Sequence, residues 1–528
     1  MAIYTTNQPT TLYWAESSGF IKGRDPMGIQ NSSVVVYDAL LPGITNLTQR
    51  IRYYGFYCWL LRAFDALGEE YKTSYKRQYD FIRRAELTLA FLMHHRDPDY
   101  SAIPGKAFAE DFSQQLQETG VIDLTKGADK GAYLTDPKGI KRSYWKYSSG
   151  AMGQYYGGAL LRLSLVRVKE NYYFPAEKGL ELAEAFADAI DQTGRSTLLS
   201  ILEKGQLAYN DLSKLEAFDI SRIQVGTSEW QRYIDLLFNQ DEASKPTFQR
   251  KGTLLYYLKE AGNESIEDTP RLLGEYFFRN PSKVTRSPHD TSLGWYLYYT
   301  QELVHYAVEE IFSALLTEMK KGFYEVNSFI DNEVIRFSEA LKEHNYASDI
   351  PLHTWWTLSP EQSRAPLELS WDLEEATDTQ EVYFIAFLLI TKTYAWVTND
   401  ISAFDTYLSA NEIQGRRGNI IELHQYLNAH AEAPTLSFFR AFIKKILNDH
   451  QIVAYNKMGN GEEQVHKFLI EHNHLIHIND IGPRMTTPRL ESVRYILQDL
   501  RLLDKESWQP TKEGETLLNK HHMHDEGA

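Results

Sequence analysis

PRLESVRYILQDLRLLDKESWQPTKEGETLLN, residues 488–519, is written to the plan helix, strand, turn, strand, proline, helix. Leu490, Val493, Leu497 and Leu500 recur three and four apart, the spacing of one helical face. Thr486-Thr487-Pro488 reads as the helix start, with threonine as cap and proline in the first turn. On this reading Arg489, Ser492 and Tyr495 face outward. Leu502-Leu503, a polar stretch with Trp508, and Pro510 then lead into a second helix at 511–519. A much earlier stretch follows the same order: an apolar segment at 156–163, then Leu165 and Val168, Tyr173, Pro175 and a helix at 176–187. Pro175 and Pro510 stand 335 positions apart, and so do Gly179 and Gly514. Winged-helix modules end in this order of elements, and they bind DNA or clamp protein partners. The expected fold is therefore mainly α. An irregular multi-helix body carries winged-helix-like units with small β-hairpins, one C-terminal and one near residues 156–190.

The chain has 528 residues, 43% hydrophobic and 24% charged, which is ordinary globular composition with material for about two to four cores. Three consecutive segments are expected. Residues 1–195 form a helical domain with a basic, aromatic loop and the first wing-like unit, 196–447 a central helical domain, and 448–528 a C-terminal winged-helix domain. A net charge of −16 argues against general nucleic-acid affinity, because phosphate binding is driven by counterion release and an acidic body repels a polyanion. The single cysteine, Cys58, excludes an intramolecular disulfide and fits a reducing compartment. The first twenty residues lack the pattern of a secretory signal, and the most apolar run, 382–390, is too short to span a bilayer. A cytoplasmic protein away from the membrane is expected.

Along the chain, Ser33-Val-Val-Val-Tyr37 reads as strand-like, and a helix runs from Thr45 or Asn46 to about Leu67. Residues 120–150 are rich in glycine, lysine and tyrosine and read as a loop or small insertion. Residues 196–446 are almost entirely helical in pattern. The alternating runs 465–470 and 475–479 around His472-Asn473 read as a β-hairpin opening the C-terminal unit.

KGIKRSYWKY, residues 138–147, is the densest basic and aromatic cluster. Lys138, Lys141, Arg142 and Lys146 can neutralise phosphates while Tyr144 or Trp145 offers a stacking face. The plainer reading is a solvated loop whose aromatics tuck into the domain. In the C-terminal unit, Arg489 and Arg494 are candidate groove contacts, with Lys512 near the wing. Acidic neighbours such as Glu491, Asp499, Asp504 and Glu513 balance them, so a module that grips protein competes. The aromatic helix bearing Arg50, Arg52, Tyr53, Tyr57 and Trp59 reads first as core and second as a partner surface. His466, His472, His474 and His477 straddle the hairpin, where alternation separates neighbours, and His521, His522 and His524 lie at the tail. No metal, cofactor or catalytic residue is nominated from them.

GRDPMGIQ (residues 23–30) through LPGITN (41–46), together with MTTPRL (485–490) before the wing, resemble segments of large bacterial proteins of multi-gene anti-phage defence loci. The resemblance covers the two ends of the chain. It implies a subunit of a defence complex beside an ATPase or nuclease of the same operon that supplies the chemistry. Arg417 and His424 are spaced somewhat as in RNA-cleaving HEPN nucleases. Three readings follow. The first is a non-enzymatic scaffold binding DNA and a protein partner in such a defence or DNA-transaction complex. The second is a kleisin-like accessory subunit docking on an SMC-like ATPase without touching DNA, which the acidity favours. The third is a HEPN-like ribonuclease.

Overall fold

A computed structural model describes residues 25–68, 71–238, 245–261, 272–358, 364–413, 419–459 and 465–525. It is mainly helical, with 64% helix and 7% strand in small antiparallel sheets, as the periodicity requires. Contacts group the described residues into two units. One draws on Met1–Leu40 and Arg271–Pro488, the other on Leu41–Pro270 and Arg489–Ala528. This differs from the consecutive segments 1–195, 196–447 and 448–528: the described residues from 489 on group with those of 41–270, not as a domain of their own.

The first unit is organised on the helix Thr291–Met319, capped by the Asp290 carboxylate on the Ser292 amide and buried on nearly every side. It packs against Thr379–Val397, Gln30–Leu40 and Leu272–Arg279. Gly294 is required at one crossing, since a Cβ there would lie 2.2 Å from the Tyr407 hydroxyl and 2.7 Å from Leu40. The strand-like reading of 33–37 is corrected, because these residues lie in the helix Gln30–Leu40. Three consecutive valines favour extended backbone locally, but Val36, Tyr37 and Leu40 bury as a helical face, with Tyr37 edge-on to Tyr298 at 5.8 Å. The hairpin around His472-Asn473 forms as expected, Phe468–Glu471 pairing with His474–His477. It gains a third strand, Tyr324–Glu325, and so belongs to this unit and not to the C-terminal module.

The second unit contains the helix Arg52–Asp65, which is core almost all round and starts later than the threonine signal suggested. Thr45 and Thr48 instead close a turn before it, the Thr45 amide donating to the Thr48 hydroxyl at 2.8 Å. The unit also holds both copies of the repeated plan. In the first, Gly157–Arg162 leads to strands Val166–Lys169 and Tyr172–Pro175 and the helix Glu177–Asp188. In the second, Leu490–Asp499 leads to a single bridge, Leu503 with Pro510, and the helix Lys512–Asp525.

The backbone of the two copies corresponds bond by bond. Ser164 and Arg501 are both left-handed, at φ 56° and 59°. The Leu165 amide reaches Leu160 O and the Leu502 amide reaches Leu497 O, both at 2.9 Å. The Ala176 and Thr511 amides close onto the Leu165 and Leu502 carbonyls. The aligned glycines rest on those same carbonyls: a Cβ would lie 1.9 Å from Leu165 O at Gly179 and 2.2 Å from Leu502 O at Gly514. Each glycine is backed by another helix, through Cys58 in one copy and Leu258 in the other.

This geometry gives a paired expectation. Gly179→Ala and Gly514→Ala each force a backbone shift and lower stability by at least about 2 kcal/mol. Gly158→Ala, at a helical glycine with open space around its Cβ position, is neutral or stabilises by up to about 1 kcal/mol. Thermal or urea denaturation of the three variants checks the contrast. Equal effects at all three sites would remove the packing argument.

Candidate functional site

The basic cluster at 138–147 is a folded hairpin, with Leu134–Thr135 paired to Lys141–Arg142. Asp136 makes the turn: its carboxylate accepts from the Lys138 amide at 2.9 Å and the Ile140 amide at 2.8 Å, and Gly139 takes φ 81°. The rest of 120–150 is also structured, through a strand, Val121–Asp123, paired with Gln206–Ala208, and a short helix, Leu124–Gly127.

One turn of the helix Tyr75–Arg96 holds this segment from inside. The Arg83 guanidinium donates to the carbonyls of Ala128, Trp145 and Tyr147. Three residues on, the Glu86 carboxylate accepts from the Tyr57 and Tyr144 hydroxyls, both at 2.9 Å, and from the Ala151 and Met152 amides at 3.1 and 2.6 Å. Both side chains are fully buried. A Cβ at Gly150 would sit 2.3 Å from Glu86, and one at Gly105 would sit 2.4 Å from the Tyr144 ring. Both glycines also have positive φ, so the clamp fits only around glycine.

Tyr144 is buried, and Trp145 is half-buried. The Trp145 indole N–H donates to Gln154 Oε1 at 2.8 Å, and its ring meets Tyr155 edge-on at 5.2 Å. The hairpin is thereby joined to the one-turn π-helix Met152–Tyr156, which continues directly into the first copy of the repeat. A cleft of about 570 Å³ opens here, walled by Leu47, by 101–108 and by Arg142, Tyr144, Trp145 and Tyr155.

Lys138, Lys141 and Lys146 are exposed, with the Lys141 ammonium 4.2 Å from the Tyr133 ring centre. Arg142 is committed to Asp111 and Asp136, at 3.3 and 3.2 Å. In the second copy, Arg489 is itself the left-handed cap residue and donates to Ile44 O at 2.8 Å. The Thr486 cap is thus corrected: the Thr486 amide donates to the Glu302 carboxylate instead. Arg494 lies over Trp508 at 4.4 Å and Tyr495 at 5.0 Å. Ser492, expected outward, is buried, and Glu491 is the only exposed residue of this ten-residue helix. The buried Asp499 pairs with Arg50 at 3.0 Å. Lys512 is exposed at the start of the last helix.

Sequence reasoning passed over Tyr155 and Lys106, and also Arg167 and Lys169, which are exposed on the first hairpin. The run Val-Arg-Val-Lys at 166–169 held the signal for the last two. His424 stacks on Tyr394 at 4.6 Å, with Asn428 at 3.2 Å, and burial lowers its pKa; Arg417 lies outside the described residues. Among the described residues no group of histidine, cysteine and acidic side chains converges to hold a metal, and no helix is long and apolar enough to cross a membrane. Comparison with protein-family models, curated proteins and solved structures finds no match for this chain.

Burial lifts the Glu86 carboxyl from the ordinary 4.5 to about 7, against the pull of its four hydrogen-bond donors. Between those values the folded chain keeps a proton that the unfolded chain has released. The stability this group contributes is therefore present below pH 4.5 and lost as pH rises toward 7. Glu86→Gln should flatten the fall in stability across that window relative to the wild type, as read by urea denaturation at a series of pH values. Parallel profiles would show that Glu86 does not titrate there.

Proposed function

We propose that the chain is a non-enzymatic scaffold that binds nucleic acid through the 134–147 hairpin and the first repeat copy. The supporting observation is the Trp145–Gln154–Tyr155 junction. It joins the hairpin bearing exposed Lys138, Lys141 and Lys146 to the module bearing exposed Arg167 and Lys169. Tyr173 of the second strand lies 3.5 Å from the Cβ positions of Gly153 and Gly157, so hairpin, helix and wing are contiguous by contact. Cations carried on a fixed backbone beside aromatic rings suit a polyanion with stacking bases.

The second copy is assigned a structural part, because its pre-wing helix has no open face to lay in a groove. A kleisin-like subunit, the reading that the acidity favours, would dock through a face other than that helix. The resemblance at the chain ends extends the proposal to a place in a prokaryotic anti-phage defence complex, beside a partner ATPase or nuclease that performs the chemistry.

Lys138→Ala, Lys141→Ala and Lys146→Ala combined should weaken oligonucleotide binding and reduce the slope of log K against log salt by about 2, each lost phosphate contact removing roughly 0.7–0.9. Arg142→Ala should act mainly on stability, since that guanidinium is held by two carboxylates. A salt series by fluorescence anisotropy reads both. An unchanged slope in the triple variant would take this hairpin out of the binding surface.

A further inference from the structure

The cleft beside Trp145 has features that a phosphate-binding surface alone does not require. Its volume, about 570 Å³, is that of a small-ligand site. Ile103, Phe108, Trp145, Tyr155 and the exposed Leu47 give it an apolar lining beside neutral polar groups such as Asn46 and Gln49. The rings are held in place, Tyr144 by Glu86 and Trp145 by Gln154. The charged groups at the wall are Lys106 and Arg142 on the positive side and Asp111 on the negative. Lys106 is shared with Glu110 at 3.8 Å, and Arg142 with Asp111 at 3.3 Å. Cationic excess at the mouth is therefore small, and attraction of phosphate does not account for a preformed apolar recess.

Resting on the nucleic-acid reading above, we infer that this cleft receives one unpaired base of a single-stranded nucleic acid. The base lies against Trp145 and Tyr155, and its flanking phosphates run toward Lys106 and the exposed lysines of the hairpin. A paired base cannot enter, because its faces are occupied by its neighbours in the stack and extrusion costs a few kcal/mol. Aromatic stacking tolerates any base, so the site selects strand state and not sequence.

The test measures anisotropy of a labelled twelve-residue oligothymidylate and of a hairpin duplex of mixed sequence at one salt concentration. The wild type should prefer the single strand. Trp145→Leu should weaken single-strand binding by roughly 5- to 150-fold, the range for loss of one stacked base, and so remove most of the preference over duplex. Trp145→Phe, which keeps a ring, should retain most of the affinity. Leu47→Trp fills the recess from a position 49% exposed, where folding is not at stake, and should also abolish the preference. Equal affinity for the two probes, or preference untouched by both Trp145→Leu and Leu47→Trp, overturns the inference while salt-dependent binding leaves the surface reading standing. Loss of all binding to both probes in the wild type overturns both. Thymidine monophosphate binding as tightly as the oligonucleotide overturns the strand as ligand.

Discussion

Two buried ionisable side chains one helical turn apart, Arg83 and Glu86, fix the surface on which the functional reading stands. Such groups are retained in an interior only when their hydrogen-bonding capacity is used. Here much of that capacity is spent on backbone: three carbonyls for the guanidinium, at 128, 145 and 147, and two amides for the carboxylate, at 151 and 152. A segment rich in lysine and glycine is thereby tied to the core through its backbone as well as through Tyr144. Its backbone need not be ordered on binding, and the backbone entropy that a mobile basic loop would lose has already been spent in folding.

The repeat was legible because its two strongest markers are backbone requirements. Glycine three residues into the last helix is needed where that helix crosses a preceding carbonyl, and proline sets the approach to it in both copies. They recur at one offset even though the side chains between them differ. Periodicity also identified most helices and the His472-Asn473 turn. What it could not show is which polar residues are consumed internally. Arg489 and Arg494 count as surface cations in any reading of spacing, yet one donates to the Ile44 carbonyl and the other lies against Trp508. The three valines before Tyr37 mislead for a related reason: local preference is small beside the burial of one face on a long neighbouring helix. Glu86 was invisible as a site residue because nothing in its neighbourhood in sequence distinguishes it. The donors it gathers come from residues 57, 144, 151 and 152.

Net charge deserves a local reading as well. A total of −16 sets the long-range field, but at physiological ionic strength charges are screened beyond about 8 Å. In direct contact with the 134–147 hairpin stand Lys130, the committed Arg142 with its two aspartates, and the buried Arg83 and Glu86. An acidic chain can therefore carry a weakly cationic face that acts only at contact. Such a face gives little steering from a distance and leaves discrimination to shape and stacking.

The two copies show how far backbone similarity constrains function. Each has the left-handed residue, the closing amide and the glycine seated on a carbonyl, so the same steric solution was used twice. The first copy then extends a regular hairpin with Arg167 and Lys169 exposed. The second replaces the hairpin with a turn in which the Asp504 carboxylate collects the Glu506 and Ser507 amides, and it seals its helix under Trp508. A frame shared at its two ends is open in one place and closed in the other, and the difference lies in the connecting backbone as well as in side chains. Any winged-helix activity must therefore be argued for each copy from its exposed face, since the frame alone predicts the same behaviour for a copy that has a face to offer and for one that has none.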